Sequence, residues 1–149
     1  MKPERIFADT NLFLRYLTND VPKQADAVEQ LLRRAAAGEL VLVTNSLVMA
    51  EIVWTLETFY EQSRNDIKDK VLAILNTPGI EVADSELILQ AMTWYTQENV
   101  DFIDAYNAAW IQGRGLKIAG TFDQKHFSRF QGVTVMVPGA TPSGSAPES

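Results

Sequence analysis

Arg5-Ile6-Phe7-Ala8-Asp9-Thr10-Asn11 is a short apolar run closed by polar side chains and followed by a helical pattern, which is how a buried strand hands over to a helix. Leu116-Lys117-Ile118-Ala119-Gly120-Thr121-Phe122-Asp123 repeats the arrangement near the other end of the chain. Each run places an acid just past a strand. In an open parallel α/β sheet, ligands gather at the carboxyl ends of the strands, so Asp9 and Asp123 are expected to become neighbours despite their distance in sequence.

Between these two runs, strand and helix patterns alternate. Residues 11–18 and 22–37 read as helices, the second opened by Pro22 and closed by Gly38. Leu40-Val41-Leu42-Val43-Thr44 reads as a second strand, and Asn45 or Ser46 caps a long helix over 47–62. Further helices are expected over 63–76, 86–98, 102–112 and 124–130, with strands at 80–83, 116–119 and 133–137. Such alternation predicts an α/β fold, a parallel sheet covered by helices and joined by right-handed crossovers. No internal repeat or linker divides residues 1–137. From Pro138 the composition changes to Pro, Gly, Ser and Ala with almost nothing to bury, so residues 138–149 read as a flexible C-terminal tail.

A chain of 149 residues with 46% hydrophobic residues is one domain's worth and can bury a core without staples. Cysteine is absent, which excludes a disulfide framework, a thiolate metal site and a cysteine nucleophile. The apolar stretches fall short of a membrane span and the first residues do not resemble a signal peptide, so a cytoplasmic protein without a membrane partner is expected. The net charge of −6 speaks against RNA binding by a broad basic surface alone. It does not exclude a phosphate substrate, because cations held by acidic side chains invert the local field.

Four acids stand out. Asp9 and Asp123 follow strands, and each has an alternative reading as a helix cap. Glu51 is flanked by Leu47, Val48 and Trp54 at i−4, i−3 and i+3, which predicts a partly desolvated carboxylate in need of a cation or a proton. Asp104 shares a polar stripe with Asn107 among small alanines. Asp101 lies one turn earlier and is expected to cap the helix that holds Asp104. Together the four suit a hard divalent ion such as Mg²⁺ or Mn²⁺, which takes oxygen ligands and keeps several waters.

Other chemistries have less to stand on. His126 has no second His or Cys to complete a zinc set, and reads as a surface residue or a substrate contact. No Gly-x-Gly-x-x-Gly follows the first strand, and there is no Walker loop or nucleophile elbow. A phosphatase with Asp9 as nucleophile is disfavoured because position 11 is Asn rather than a second acid. The aromatic residues recur at helical spacing, which points to packing in the core or at an interface.

Phe7-Ala8-Asp9-Thr10-Asn11, Thr44-Asn45-Ser46 leading to Met49-Ala50-Glu51, Asp101-Phe102-Ile103-Asp104-Ala105 and Thr121-Phe122-Asp123 follow in an order that resembles the PIN-domain family, and within it the VapC-type toxins of bacterial toxin-antitoxin pairs. The resemblance covers about Ile6 to Val137. It implies a three-layer α/β/α sandwich with a parallel sheet of five strands, and a Mg²⁺- or Mn²⁺-dependent endoribonuclease leaving a 3′-hydroxyl and a 5′-phosphate. It further implies Asp9, Glu51, Asp104 and Asp123 as the catalytic, metal-holding quartet, with Asn11, Thr121 and Asp101 in support. RNA as substrate, a cognate antitoxin protein and a homodimer are the implied partners. Arg15, Lys117, Lys125 and Arg129 lie near these motifs and are candidates to grip phosphate. The rival reading is a catalytically inactive PIN-like module that binds RNA or protein.

Overall fold

The computed structural model describes residues 2–139, so all but two residues of the expected tail at 138–149 lie outside it. The chain divides into two compact units, one reaching to Leu89 and the other beginning at Gln90.

The first unit is built on three parallel strands, β1 (Glu4–Phe7), β2 (Leu40–Thr44) and β3 (Ile80–Val82), in the order β1-β2-β3. Phe7 pairs with Val43 and Thr44 with Val82, which aligns the carboxyl ends of all three. Along β2, Leu40, Leu42 and Thr44 are buried and the two valines between them are half-buried, the period-2 pattern of a strand. Helices α1 (Thr10–Thr18) and α2 (Pro22–Ala36) connect β1 to β2, and α3 (Ser46–Thr58) and α4 (Arg64–Leu75) connect β2 to β3.

Capping defines where these helices start. Asn45 accepts from the Val48 N–H at 3.1 Å, and Ser63 accepts from the Asp66 N–H at 3.1 Å. Helix α3 ends at Thr58, short of the expected 62, because the backbone turns left-handed at Glu61 (φ 51°). Helix α3 packs on α4, and Met49, Ile52 and Leu56 of the first and Ile67 and Val71 of the second are fully buried. Gly79 stands just before β3 at φ +85°, where a Cβ would collide with the Ala35 carbonyl of α2.

Helix α5 (Ser85–Gln97) runs from the first unit into the second. The second unit continues with α6 (Phe102–Gly113), β4 (Ile118–Gly120), α7 (Gln124–Phe127) and β5 (Thr134–Met136). Strands β4 and β5 are parallel, with Ala119 opposite Val135. Trp94 packs on Phe130 at 4.8 Å between ring centroids, and Phe127 meets the same ring edge-on.

The α/β class, the parallel pairing and the alternation of elements match expectation. Among the described residues there are five strands, but they pair as three and two rather than as one sheet of five. Three of them, β3, β4 and β5, are only three residues long, which leaves little ladder with which to recruit a further strand.

Candidate active site

In the first unit, Asp9 and Glu51 come together around Thr10. Asp9 is the N-cap of α1, accepting the Thr10 N–H at 2.8 Å on Oδ1. The Thr10 hydroxyl donates to Glu51 Oε1 on α3. Two acids 42 positions apart thus share one buried threonine.

The expectation that Glu51 is partly desolvated fails: its side chain is exposed. Leu47 (80% exposed) and Trp54 (66%), the apolar neighbours that suggested burial, themselves face outward on the same stripe of α3. The core face of that helix is instead Val48, Met49, Ile52, Val53 and Leu56. Thr44 Oγ1 and Ser46 Oγ, at the end of β2, are buried without a hydrogen-bond partner among the described residues.

The second unit holds a tighter cluster. Asp104 on α6, Asp123 before α7 and His126 within α7 each present one donor atom, and these atoms lie within 4.8 Å of one another. The Asp123 carboxylate does two things at once: Oδ1 accepts the His126 N–H at 3.3 Å as the cap of α7, and Oδ2 lies 2.8 Å from His126 Nδ1. An ionised carboxylate can only accept, so the proton of that contact sits on Nδ1. Asp104 Oδ2 is 3.8 Å from the same nitrogen. Thr121 Oγ1 accepts the Asp123 N–H at 2.9 Å and so fixes the turn that presents the acid. Beside Asp104 opens a recess of about 490 Å³ whose walls include Asn107, Trp110, Ile118 and Thr121.

The electrostatics of the two aspartates diverge. Burial pushes the Asp104 carboxyl above the usual carboxylate range, and the charges of Asp123 and Asp101 add to it, with His126 opposing. The hydrogen bond from the His126 ring holds Asp123 below the usual range, helped by the His126 amide and the nearby Lys125. Asp101 does not act as expected. It occupies the N-cap position of α6 with no side-chain capping bond, and its charge bears on Asp104 through space.

The remaining candidates are less available. Arg15 is engaged by Gln24 at 2.8 Å and Asp20 at 3.3 Å, and an Arg129 guanidinium nitrogen donates to the Glu98 carbonyl at 2.6 Å. Both cations are therefore spent locally. Asn11 is exposed and lines a shallow recess with Leu12, Arg15 and Gln24. Lys117 and Lys125 are exposed.

A family model described as PIN domain matches residues 6–133. The chain belongs to the PIN-domain family. It is similar to a VapC ribonuclease of Aquifex aeolicus (strain VF5), 26% identical over 118 residues that span 78% of this chain and 86% of that protein. Among solved structures it is similar to Mycobacterium tuberculosis VapC20, a Sarcin-Ricin loop cleaving toxin, at 19% identity and a TM-score of 0.36 over 83% of this chain and 94% of that one. It is also similar to VapBC2 from Rickettsia felis bound to a DNA fragment from its promoter, at 14% identity and a TM-score of 0.37, covering 89% and 98% of the two chains. No helix of the described residues is long and apolar enough to cross a membrane.

His126 is the member of this PIN domain's acidic cluster that sequence reasoning set aside. The signal was there: His126 follows Asp123 at i,i+3 across a helix start, the spacing at which a capping acid and a side chain of the first turn meet.

Proposed function

We propose that this PIN domain is a divalent-metal-dependent endoribonuclease, the toxin of a toxin-antitoxin pair. What carries the reading is the meeting of Asp104, Asp123 and His126, with Asp104 disfavoured as an anion by burial and by two neighbouring acids. Such a carboxylate is relieved by a cation. The donors fit Mg²⁺ or Mn²⁺, since hard oxygens predominate and the one imidazole is already committed to Asp123.

In this reading Asp104 and Asp123 hold an ion in one unit, while Asp9 and Glu51 present the carboxylates of the other. A bound Mg²⁺ or Mn²⁺ supplies polarisation of the scissile phosphate and a bound water of lowered pKa. The chain's own residues orient and hold. His126 fixes the Asp123 carboxylate, Thr121 fixes the Asp123 backbone, and Asp101 keeps Asp104 in need of positive charge. Lys125, two residues past Asp123 and without a salt bridge among the described residues, is the better candidate to meet a phosphate. Arg15 and Arg129 serve structure first.

The similarity to a VapC ribonuclease supports RNA as substrate, and the resemblance of the acidic motifs to those of toxins from toxin-antitoxin pairs supports a cognate antitoxin as partner. Exposed apolar side chains on α3 and at its C-cap, Leu47, Trp54 and Phe59 at 66–80% exposure, support a protein partner, whether antitoxin or a second copy in a homodimer. The test is cleavage of RNA by the purified protein with Mg²⁺ or Mn²⁺ against EDTA, with Asp104→Asn and Asp123→Asn alongside. Metal-dependent cleavage lost in both variants is the expected result. Cleavage that persists in EDTA overturns the metal reading, and binding of RNA without any cleavage favours the inactive module.

A further inference from the structure

Three threonines in the helices of this protein turn their hydroxyls back on their own backbone. Thr18 donates to the Leu14 carbonyl at 2.7 Å, Thr58 to Trp54 at 2.7 Å and Thr96 to Met92 at 3.0 Å, each to the residue four before it. Thr10 does not. As the first residue of α1 it has no preceding helical carbonyl to bond, so its hydroxyl is at liberty to cross to another element. It reaches Glu51 on α3, while its backbone N–H holds Asp9.

We propose that Thr10 is a positioning residue that sets Asp9 and Glu51 as a pair toward a divalent cation. The proposal rests on the reading of those two acids as metal-holding groups. Thr10 is 4% exposed and held by its neighbours, whereas Glu51 is exposed and without that bond would sample several rotamers. A carboxylate offers about four lone-pair positions, so one bond from Thr10 fixes its direction and leaves the others for an ion. Outer partners of this kind orient metal ligands, and their loss weakens metal binding.

Thr10→Val removes the hydroxyl at nearly constant volume and keeps the N–H that serves Asp9. Thr10→Ser keeps both. Mn²⁺ binding is measured by calorimetry, fold by melting in EDTA, and kcat and KM on RNA separately. Thr10→Val is expected to weaken Mn²⁺ binding by about 10-fold or more and to lower kcat with little change in KM, while Thr10→Ser stays within about threefold of the original. Melting in EDTA should change little for either. Unchanged Mn²⁺ binding in Thr10→Val, or a Thr10→Ser as weak as Thr10→Val, overturns the proposal. If Thr10→Val melts too low to measure, Thr10→Ala is judged by the same criteria, and loss of fold in both makes the residue structural and overturns it too. Glu51→Gln separates the role of Thr10 from that of Glu51. If it loses Mn²⁺ while Thr10→Val does not, only the role of Thr10 fails; if it binds Mn²⁺ as before, the reading of Glu51 itself fails.

Discussion

The acids around Thr10 and those around His126 are held in opposite ways. Asp9 and Glu51 are exposed and each receives a neutral donor, an amide and a hydroxyl. Asp104 and Asp123 are half-buried and press on one another, with Asp101 adding a third charge and an imidazole joining the contact. One cluster is settled by hydrogen bonds before any ion arrives; the other is left with carboxylates that repel one another. Geometry is therefore what mutation should disturb first around Thr10, and charge around His126.

The largest effect expected is on catalysis. Asp104→Asn and Glu51→Gln should each lower metal-dependent RNA cleavage by about 100-fold or more, roughly 2.7 kcal/mol in the barrier. Initial rates at saturating Mn²⁺ measure it. Asp101→Asn should cost much less, because Asp101 acts on Asp104 only through space. Equal losses for Asp101→Asn and Asp104→Asn would break the distinction between a ligand and a neighbouring charge.

Next in size is the imidazole. His126→Gln leaves Asp123 its backbone capping bond but removes the ring that orients the carboxylate, and Mn²⁺ binding should weaken about 10-fold. Calorimetric titration reads this directly. Tighter binding in the variant would mean that His126 competes with the ion for Asp123 rather than orienting it.

A smaller effect, in metal-free protein, depends on pH. The Asp104 carboxyl is raised on folding, so the folded state holds its proton more tightly, and that stabilisation is lost as pH rises from the usual carboxylate range through the raised value. Asp123 is lowered on folding, so its contribution is present above the usual range and is lost as pH falls through the lowered value. In EDTA at neutral pH, Asp104→Asn should melt higher than the unaltered protein and Asp123→Asn lower. Both differences should shrink in acid. Melting curves from neutral pH into acid test the pair, and shifts of the same sign would show that the two acids do not differ as described.

The smallest effect is predicted for removal of residues 138–149, which should leave melting temperature and RNA cleavage nearly unchanged, since the segment has so little to bury. Circular dichroism melting of the shortened chain is sufficient. A marked drop would place the boundary of the domain further along the chain.

Local features were legible in the sequence because they depend on local chemistry. Asn45 or Ser46 could be read as a cap, Pro22 as a helix start, and 40–44 as a strand, since side chains within a few residues decide each. The separation of the strands into three and two was not legible, because a pleated run does not say which edge it will pair with. Burial of Glu51 was misjudged for a related reason. Leu47 and Trp54 look like core residues by hydropathy, and only the packing of α3 on α4 shows which apolar face turns inward. The bond from Thr10 to Glu51 spans 41 positions and leaves no periodic trace. The pairing of His126 with Asp123 was legible in their i,i+3 spacing, because an acid that caps a helix and a side chain of its first turn meet at that separation.

Gly79 has a consequence for genetics. Every amino-acid replacement there adds a Cβ against the Ala35 carbonyl and strains a left-handed backbone, far along the chain from any of the four acids. A selection for cells that survive the proposed RNA cleavage would therefore collect two kinds of escape variant. Changes at Asp104 or Glu51 would leave a full-length protein at normal abundance, whereas changes at Gly79 would deplete it, so an immunoblot of the survivors would sort lost chemistry from lost fold without an enzyme assay.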